Sequence, residues 1–209
     1  MLRCLTLVAL VLWAWTQDRL LGQSAPTDDA AIYKAIIDHT IRPEVIRFDT
    51  GAGMTPTTVL VVSRTLASCP EERSRVPPMG CFGAFQIQFV ATPLRDRTLM
   101  FDRLLTSTAR AALAMSLSVR SEQTQLLPTM AIADLSLIDP EEINAFRSRV
   151  PRVTRGYTAF SRPGYSGQGQ ALVYVTYWCG GLCGYGWFFV LEQHASEWRV
   201  QARYMLWIA

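Results

Sequence analysis

Five arginines, Arg147, Arg149, Arg152, Arg155 and Arg162, fall within sixteen residues, and no acidic residue occurs between Glu142 and Glu192. Guanidinium groups pair bidentately with phosphate and carboxylate, and the aromatic-rich segment that follows could add stacking. The chemistry this suggests is recognition of an anionic surface, a glycan or lipid headgroups, with no signature of specific nucleic-acid reading. A competing reading pairs the same arginines with Glu141, Glu142 or more distant acids on a solvated face and leaves the aromatics to fill the core. Four cysteines, Cys69, Cys81, Cys179 and Cys183, fall in two close pairs. Their spacings, eleven and three intervening residues, match no common zinc ribbon or finger. Activation of Cys179 or Cys183 as a redox thiolate would draw on a helix N-terminus or a neighbouring cation, whereas GYGWFFV, which follows, is strand-forming. Disulfides are expected instead; three pairings are possible, and the local one, Cys69 with Cys81 and Cys179 with Cys183, is favoured because each pair flanks a short stretch of chain. Ser166, His194 and a carboxylate could be assembled as a triad, but no nucleophile elbow surrounds any serine. The other histidine, His39, falls near the end of a helical segment, where a partner for the helix dipole is expected. No metal ligand set and no cofactor motif is read.

Residues 48–53, FDTGAG, contain one more candidate. Asp49, Thr50, Gly51 and Ala52 resemble the active-site turn of retroviral-type aspartic proteases. Such an enzyme needs two facing carboxylates that share a proton and activate water. This chain has no second Asp-Thr-Gly or Asp-Ser-Gly, so the resemblance implies a dimer with Asp49, Thr50 and Gly51 contributed by each copy. The chain departs from the family in lacking the downstream hydrophobic-hydrophobic-Gly segment, and Pro56 interrupts the strand that should follow. Read from its own residues, the segment is a loop with two glycines in which the Asp49 carboxylate caps backbone amides.

The elements that must position these groups begin after an N-terminal leader. Arg3 precedes an apolar run from Cys4 to Trp15, and small residues Gly22 and Ser24 follow. This is the layout of a secretory signal peptide over residues 1–24, with Ala25 as the new N-terminus. The twelve-residue run is short of the roughly 20 residues that cross a bilayer as a helix, and an uncleaved anchor is the alternative. Residues 25–209 then suffice for a single domain with a full core. Removal of Arg3, Asp18 and Arg19 leaves 18 basic and 16 acidic residues, a balance that demands no anionic partner. Export accords with the cysteines, because loss of Cys4 leaves an even set of four for an oxidising compartment, secreted or periplasmic in a bacterium.

PTDDAAIYKAIIDHTI places Asp28 and Asp29 in a first turn and repeats apolar residues at Ile32, Ile36 and Ile37, so an amphipathic helix is expected. TTVLVVSRT (57–65) and AFQIQFVAT (84–92) read as strands, and Leu99 to Leu117 as helical. DPEEINAFRSRVP predicts a short helix capped by Asp139, with Pro140 in its first turn. The last 53 residues hold 13 of the 22 aromatic residues. Within them GYTAFSR, QALVYVTYW, YGWFFVLEQ and WRVQARYMLWI are separated by turn-like PGYSGQG, CGGLC and HAS, which predicts a four-stranded antiparallel meander. Gln170 to Leu191 is also long and uncharged enough for a membrane helix, but Gly180, Gly181, Gly184 and Gly186 at its centre favour a hairpin.

AFSRPGY, QALVYV, CGGLCGYG, FVLE and the following WRV, in that order, resemble the C-terminal signature of a set of uncharacterised secreted bacterial proteins. The resemblance covers residues 157–209 and implies export and an α+β fold, with no activity attached. The expectation is thus an α+β protein with an N-terminal helix, a mixed middle region and a C-terminal four-stranded meander. Its expected role is that of an exported, non-catalytic binding or structural domain, and the dimeric protease is the alternative. Intact-mass measurement of exported protein is expected to give a chain beginning near Ala25. Retention of Met1 would refute the leader assignment.

Overall fold

QALVYVTY and GWFFVL are apolar at odd and even positions alike, which is the pattern of strands covered on both faces. The computed structural model describes residues 26–43, 58–69, 80–91, 100–149, 156–180 and 183–209, and these two segments form its centre. They are β7 (Gln170–Gly180) and β8 (Cys183–His194), antiparallel, with Val173 opposite Phe189 and Tyr174 opposite Phe188. β5 (Tyr157–Phe160) pairs antiparallel with β7, and β9 (Glu197–Ile208) pairs antiparallel with β8. The expected meander is therefore present. Within its first connection, β6 (Gly164–Tyr165) adds a short pairing to β7.

Two strands that the meander does not require complete the sheet. β1 (Val59–Val62) runs parallel to β5, and β4 (Leu135–Ile138) runs parallel to β1. The seven-stranded mixed sheet has the order β4-β1-β5-β7-β8-β9, with β6 beside β7. A separate parallel pair, β2 (Ala67–Cys69) and β3 (Cys81–Gly83), is closed by the Cys69–Cys81 disulfide, with Cα atoms 5.7 Å apart. Cys179 and Cys183 join the ends of β7 and β8, Cα atoms 5.2 Å apart. Both bridges are the local ones.

Helices cover the two faces. α1 (Pro26–Ile36) continues into a π-helical turn, Ile37–Ile41, and buries Ile32, Tyr33, Ile36, Ile37 and Ile41 against Val173, Val175, Trp187 and Phe189. α2 (Ala84–Ala91), α3 (Met100–Leu104) and α4 (Ser107–Arg120) cover the other face, where Leu113 and Leu117 meet Leu172, Tyr174, Phe188 and Val190. A 3₁₀ turn (Pro140–Glu142) and α5 (Ile143–Arg149) close the corner over Leu60 and Ile138. Each fully buried Phe or Leu contributes about 1.5–3 kcal/mol, so the doubly covered hairpin is the main source of stability. The fold is α+β.

Three local readings change. Residues 84–91 are helical rather than extended: the Gln86 side chain reaches back to accept the Gly83 N–H at 2.9 Å, the N3-to-N-cap half of a capping box. A Gln three residues past Gly83 thus outweighs the alternation of Phe85, Ile87 and Phe89. The helical stretch after Leu99 is broken, because Thr106 turns extended and its hydroxyl accepts the Ala109 N–H at 3.1 Å as N-cap of α4. Asp139 occupies the cap position but its carboxylate makes no cap hydrogen bond, and the Ser63 hydroxyl takes it instead. The leader, residues 1–24, lies outside the described residues. Among those described, no helix is long and apolar enough to cross a membrane.

The long edge strand β9 carries two irregularities, since Gln201 and Leu206 have no residue opposite in the β8 register. Bulges of this kind twist an edge away from pairing with another sheet. At the other side of the meander, β6 presses on α4: a Cβ on Gly164 would lie 2.5 Å from the Leu117 nitrogen and 2.6 Å from the Leu113 oxygen. Those atoms are helix backbone and cannot rotate away. Gly164→Ala is expected to lower unfolding stability by about 1–3 kcal/mol, the range for overpacking, measured as a fall in the urea midpoint at unchanged slope. An unchanged midpoint would show that β6 can lift from α4.

Candidate functional site

A recess lies where the parallel extension of the sheet meets β5 and β7. β1 ends at Val62, and the chain then crosses over the sheet as Ser63-Arg64-Thr65-Leu66. Backbone bonds hold this crossing on both sides: Ser63 N–H to the Ile138 carbonyl (3.0 Å), Thr65 N–H to Gln125 (2.8 Å) and Leu66 N–H to Phe160 (2.7 Å). The Thr65 hydroxyl accepts the Gln125 N–H at 2.9 Å, and Arg64 bridges to Leu126. β4 ends alongside, and Asp139-Pro140 turns over the same region. Beneath these segments lies a cavity of about 200 Å³. Its lining includes Leu66, Tyr157, Ala159, Thr176 and Trp178, all apolar or aromatic except Thr176. The position, outside the carboxyl ends of parallel strands, is the one where open α/β sheets bind ligands.

Thr176 is the notable group. It is 2% exposed, and among the described residues its hydroxyl has no hydrogen-bond partner. A buried hydroxyl left unpaired costs about 1–3 kcal/mol, and Thr176 stands on the cavity wall. Trp178 is held in place from behind. Its ring lies 5.2 Å from that of Trp207, whose indole N–H donates to the Tyr174 hydroxyl at 2.8 Å. Burial pushes the Tyr174 hydroxyl well above the usual phenol range, against the opposing effect of the Trp207 bond, so it stays a neutral acceptor. Gly186 leaves the space for Trp207, because a Cβ there would lie 2.1 Å from the indole nitrogen. At the rim, Arg64 and Asp139 are exposed, and the Asp139 carboxylate is engaged by Ser63.

A second polar cluster ties the helices of the two faces together. Both oxygens of Asp29, in the first turn of α1, lie 3.0 Å from the same Arg120 nitrogen at the end of α4, and the Tyr165 hydroxyl donates to one of them at 2.6 Å. The Arg120 guanidinium also sits 5.0 Å above the Tyr165 ring. Arg162 donates to the Arg120 carbonyl at 3.2 Å, at the negative end of the α4 dipole. Burial lowers the pKa of Arg162, Arg120 lowers it further, and Asp29 opposes both. Tyr33 donates to the Ser161 carbonyl at 3.1 Å, and burial, then the Asp29 charge, raise its pKa well above the usual phenol value. The arrangement is that of a structural clasp: every charge in it faces another part of the fold.

Of the residues singled out from sequence, Arg162 belongs to this clasp, while Arg149 is exposed and bonds the Ala145 carbonyl of its own helix at 3.3 Å. Arg152 and Arg155 lie outside the described residues, as do Asp49, Thr50 and Gly51 and the Arg147 side chain. His39 is exposed on the π-helical turn. His194 is exposed too, with Glu192 at 3.5 Å and Gln201 at 3.1 Å, and the Ser166 hydroxyl accepts the Gln168 N–H. Cys179 and Cys183 are bridged to each other. Among the described residues no group of His, Cys, Asp or Glu could hold a metal. Sequence reasoning passed over the cavity, although one signal was available: Thr176 is the only aliphatic hydroxyl in the buried run from Ala171 to Tyr177. No protein-family profile, no curated protein and no solved structure matches the chain.

Removing Asp29 would leave Arg120, whose side chain is only 19% exposed, without its carboxylate. Asp29→Ala is therefore expected to cost about 3 kcal/mol, as loss of one partner of a largely buried pair does. Adding Arg120→Met to that variant is expected to cost little more, and a double-mutant cycle in urea reads the coupling. Additive losses would deny the clasp.

Proposed function

We propose that the protein is an exported binding domain whose ligand occupies the cavity over β5 and β7. The observation that carries this is the Thr176 hydroxyl, unpartnered among the described residues, on a recess of about 200 Å³ whose lining also includes Val62, Leu66, Pro140, Tyr157, Ala159 and Trp178. A pocket of mostly apolar lining with a few placed polar groups is the usual form of a small-molecule site. Preorganisation supports the reading, because the segment 63–66 beside the cavity is fixed by main-chain bonds to Ile138, Gln125 and Phe160, and Trp178 is backed by Trp207. Export is supported by the two disulfides, which suit an oxidising compartment, secreted or periplasmic in a bacterium. One bridge bears on the site itself. Cys81 follows Gly80, a lining residue, and Cys69 ends the strand that begins one residue after Leu66.

Ligand-observed NMR with a library of single-ring fragments tests the proposal. Fragments are expected to bind and to shift the indole signal of Trp178. Ala159→Leu, which fills the cavity from its sheet side, is expected to abolish both effects while near-UV circular dichroism shows the fold retained; Ala159→Val serves if the larger residue unfolds the chain. Binding that survives in a folded, filled variant, or no fragment binding at all, would overturn the proposal.

A further inference from the structure

The cavity also carries information about what it would hold. Its volume, about 200 Å³, falls below the about 300–1,000 Å³ of drug-sized sites and slightly above the ~150 Å³ cavity that holds one benzene. One six-membered ring with a short substituent fills it. Tyr157 and Trp178 supply aromatic walls, against which a ring packs at its edge or in an offset stack. The substituent must leave through the rim, where two charged residues stand. The Asp139 carboxylate keeps its negative charge, with one oxygen accepting the Ser63 hydroxyl. Arg64 is exposed, its backbone is fixed by the bridge to Leu126, and its guanidinium has no hydrogen-bond or ion-pair partner among the described residues. Among the described residues the cation without a partner at the mouth is the Arg64 guanidinium, and its fork of donors matches a planar oxyanion.

Resting on the binding reading above, we infer that the ligand is a small aromatic carboxylate, its ring in the cavity beside Thr176 and its carboxylate paired with Arg64. The same chemistry is presented by a free aromatic acid and by a peptide ending in phenylalanine. A free acid needs no further surface, whereas a peptide must run outward past Asp139. Ammonium ligands would meet the Arg64 charge at the mouth, and a neutral ring would leave that charge unused.

Titration of the full exported chain with 3-phenylpropionate, its amide, 3-phenylpropylamine and the dipeptide Gly-Phe, followed by the Trp178 indole signal, distinguishes these cases. The acid is expected to bind at least about tenfold more tightly than the amide or the amine, the scale of one charge-assisted pair. Arg64→Gln is expected to bring the acid down to the level of the amide without weakening the amide. Thr176→Val, which keeps the volume, is expected to weaken both. Tight binding of Gly-Phe would assign the site to chain termini, and its failure beside a binding acid would assign it to free acids; either outcome supports carboxylate recognition. Equal binding of acid, amide and amine, or no effect of Arg64→Gln, would overturn the inference while leaving the cavity a site for rings. Absence of all binding would overturn the binding reading itself.

Discussion

Burial of β7 and β8 on both faces is the constraint from which the rest of the architecture follows. Between Ala171 and Tyr177 every residue is at most 2% exposed, and Trp187 to Leu191 are equally enclosed. A hairpin of this kind cannot exist alone, because both of its surfaces must be removed from water. α1 supplies one cover and α2 with α4 the other. The two covers must then be held in register across the end of the sheet, which is what the Asp29–Arg120–Tyr165 contacts do. Close packing at the hairpin also explains its glycines. Gly184 and Gly186 yield their volume to Trp178 and Trp207, so two indoles meet at a tilt of 46° where side chains on β8 would otherwise stand.

How much of this could be read from sequence depended on whether the local signal and the tertiary context agreed. The strands β5, β7, β8 and β9 were legible because β-branched and aromatic residues, glycine-rich turns and connection lengths all pointed to the same meander. α1 was legible from its acidic first turn and apolar spacing. Residues 84–91 were not, because alternation at Phe85, Ile87 and Phe89 imitates a strand and the deciding bond, Gln86 to Gly83, is a capping contact of one side chain. β4 was missed for a different reason. Its four residues, Leu135–Ile138, carry little periodic signal, and their conformation is set by pairing with β1 seventy-six residues earlier. Parallel pairing across such distances leaves no mark in a local window.

The candidate site follows the same division. Clustering in sequence drew attention to Arg147, Arg149, Arg152, Arg155 and Arg162, yet Arg149 and Arg162 serve different elements: one bonds its own short helix, the other the end of α4. Charge density along a chain says little about density in space once a helix terminus intervenes. The cavity residues, in contrast, come from five separate segments, Val62–Leu66, Gly80, Thr124, Asp139–Pro140 and the β5–β7 pair. No spacing rule joins them. What the chain did display was one aliphatic hydroxyl, Thr176, inside a run of aliphatic and aromatic residues. A polar residue in a doubly buried strand is the kind of local inconsistency that marks a functional position.

In the proposed reading, stability and recognition meet at that residue. An unpaired hydroxyl costs about 1–3 kcal/mol, and empty space beside it forfeits the dispersion contacts that a filled core would have. Valine at the same position would remove the first cost and keep the strand. The fold tolerates threonine there because the doubly covered hairpin around it is held by many other fully buried side chains, Val173, Tyr174, Val175 and Phe188 among them. The cavity also keeps its shape without a ligand. Main-chain bonds fix the crossing segment above it, the Cys69–Cys81 bridge closes the small sheet beside it, and the Trp178–Trp207–Tyr174 chain fixes its aromatic wall. A void that collapsed on its own would bury Thr176 against carbon and offer nothing to bind. A rigid void keeps Thr176 at a fixed position, so that the entropy of ordering it has been met during folding rather than at the moment of binding.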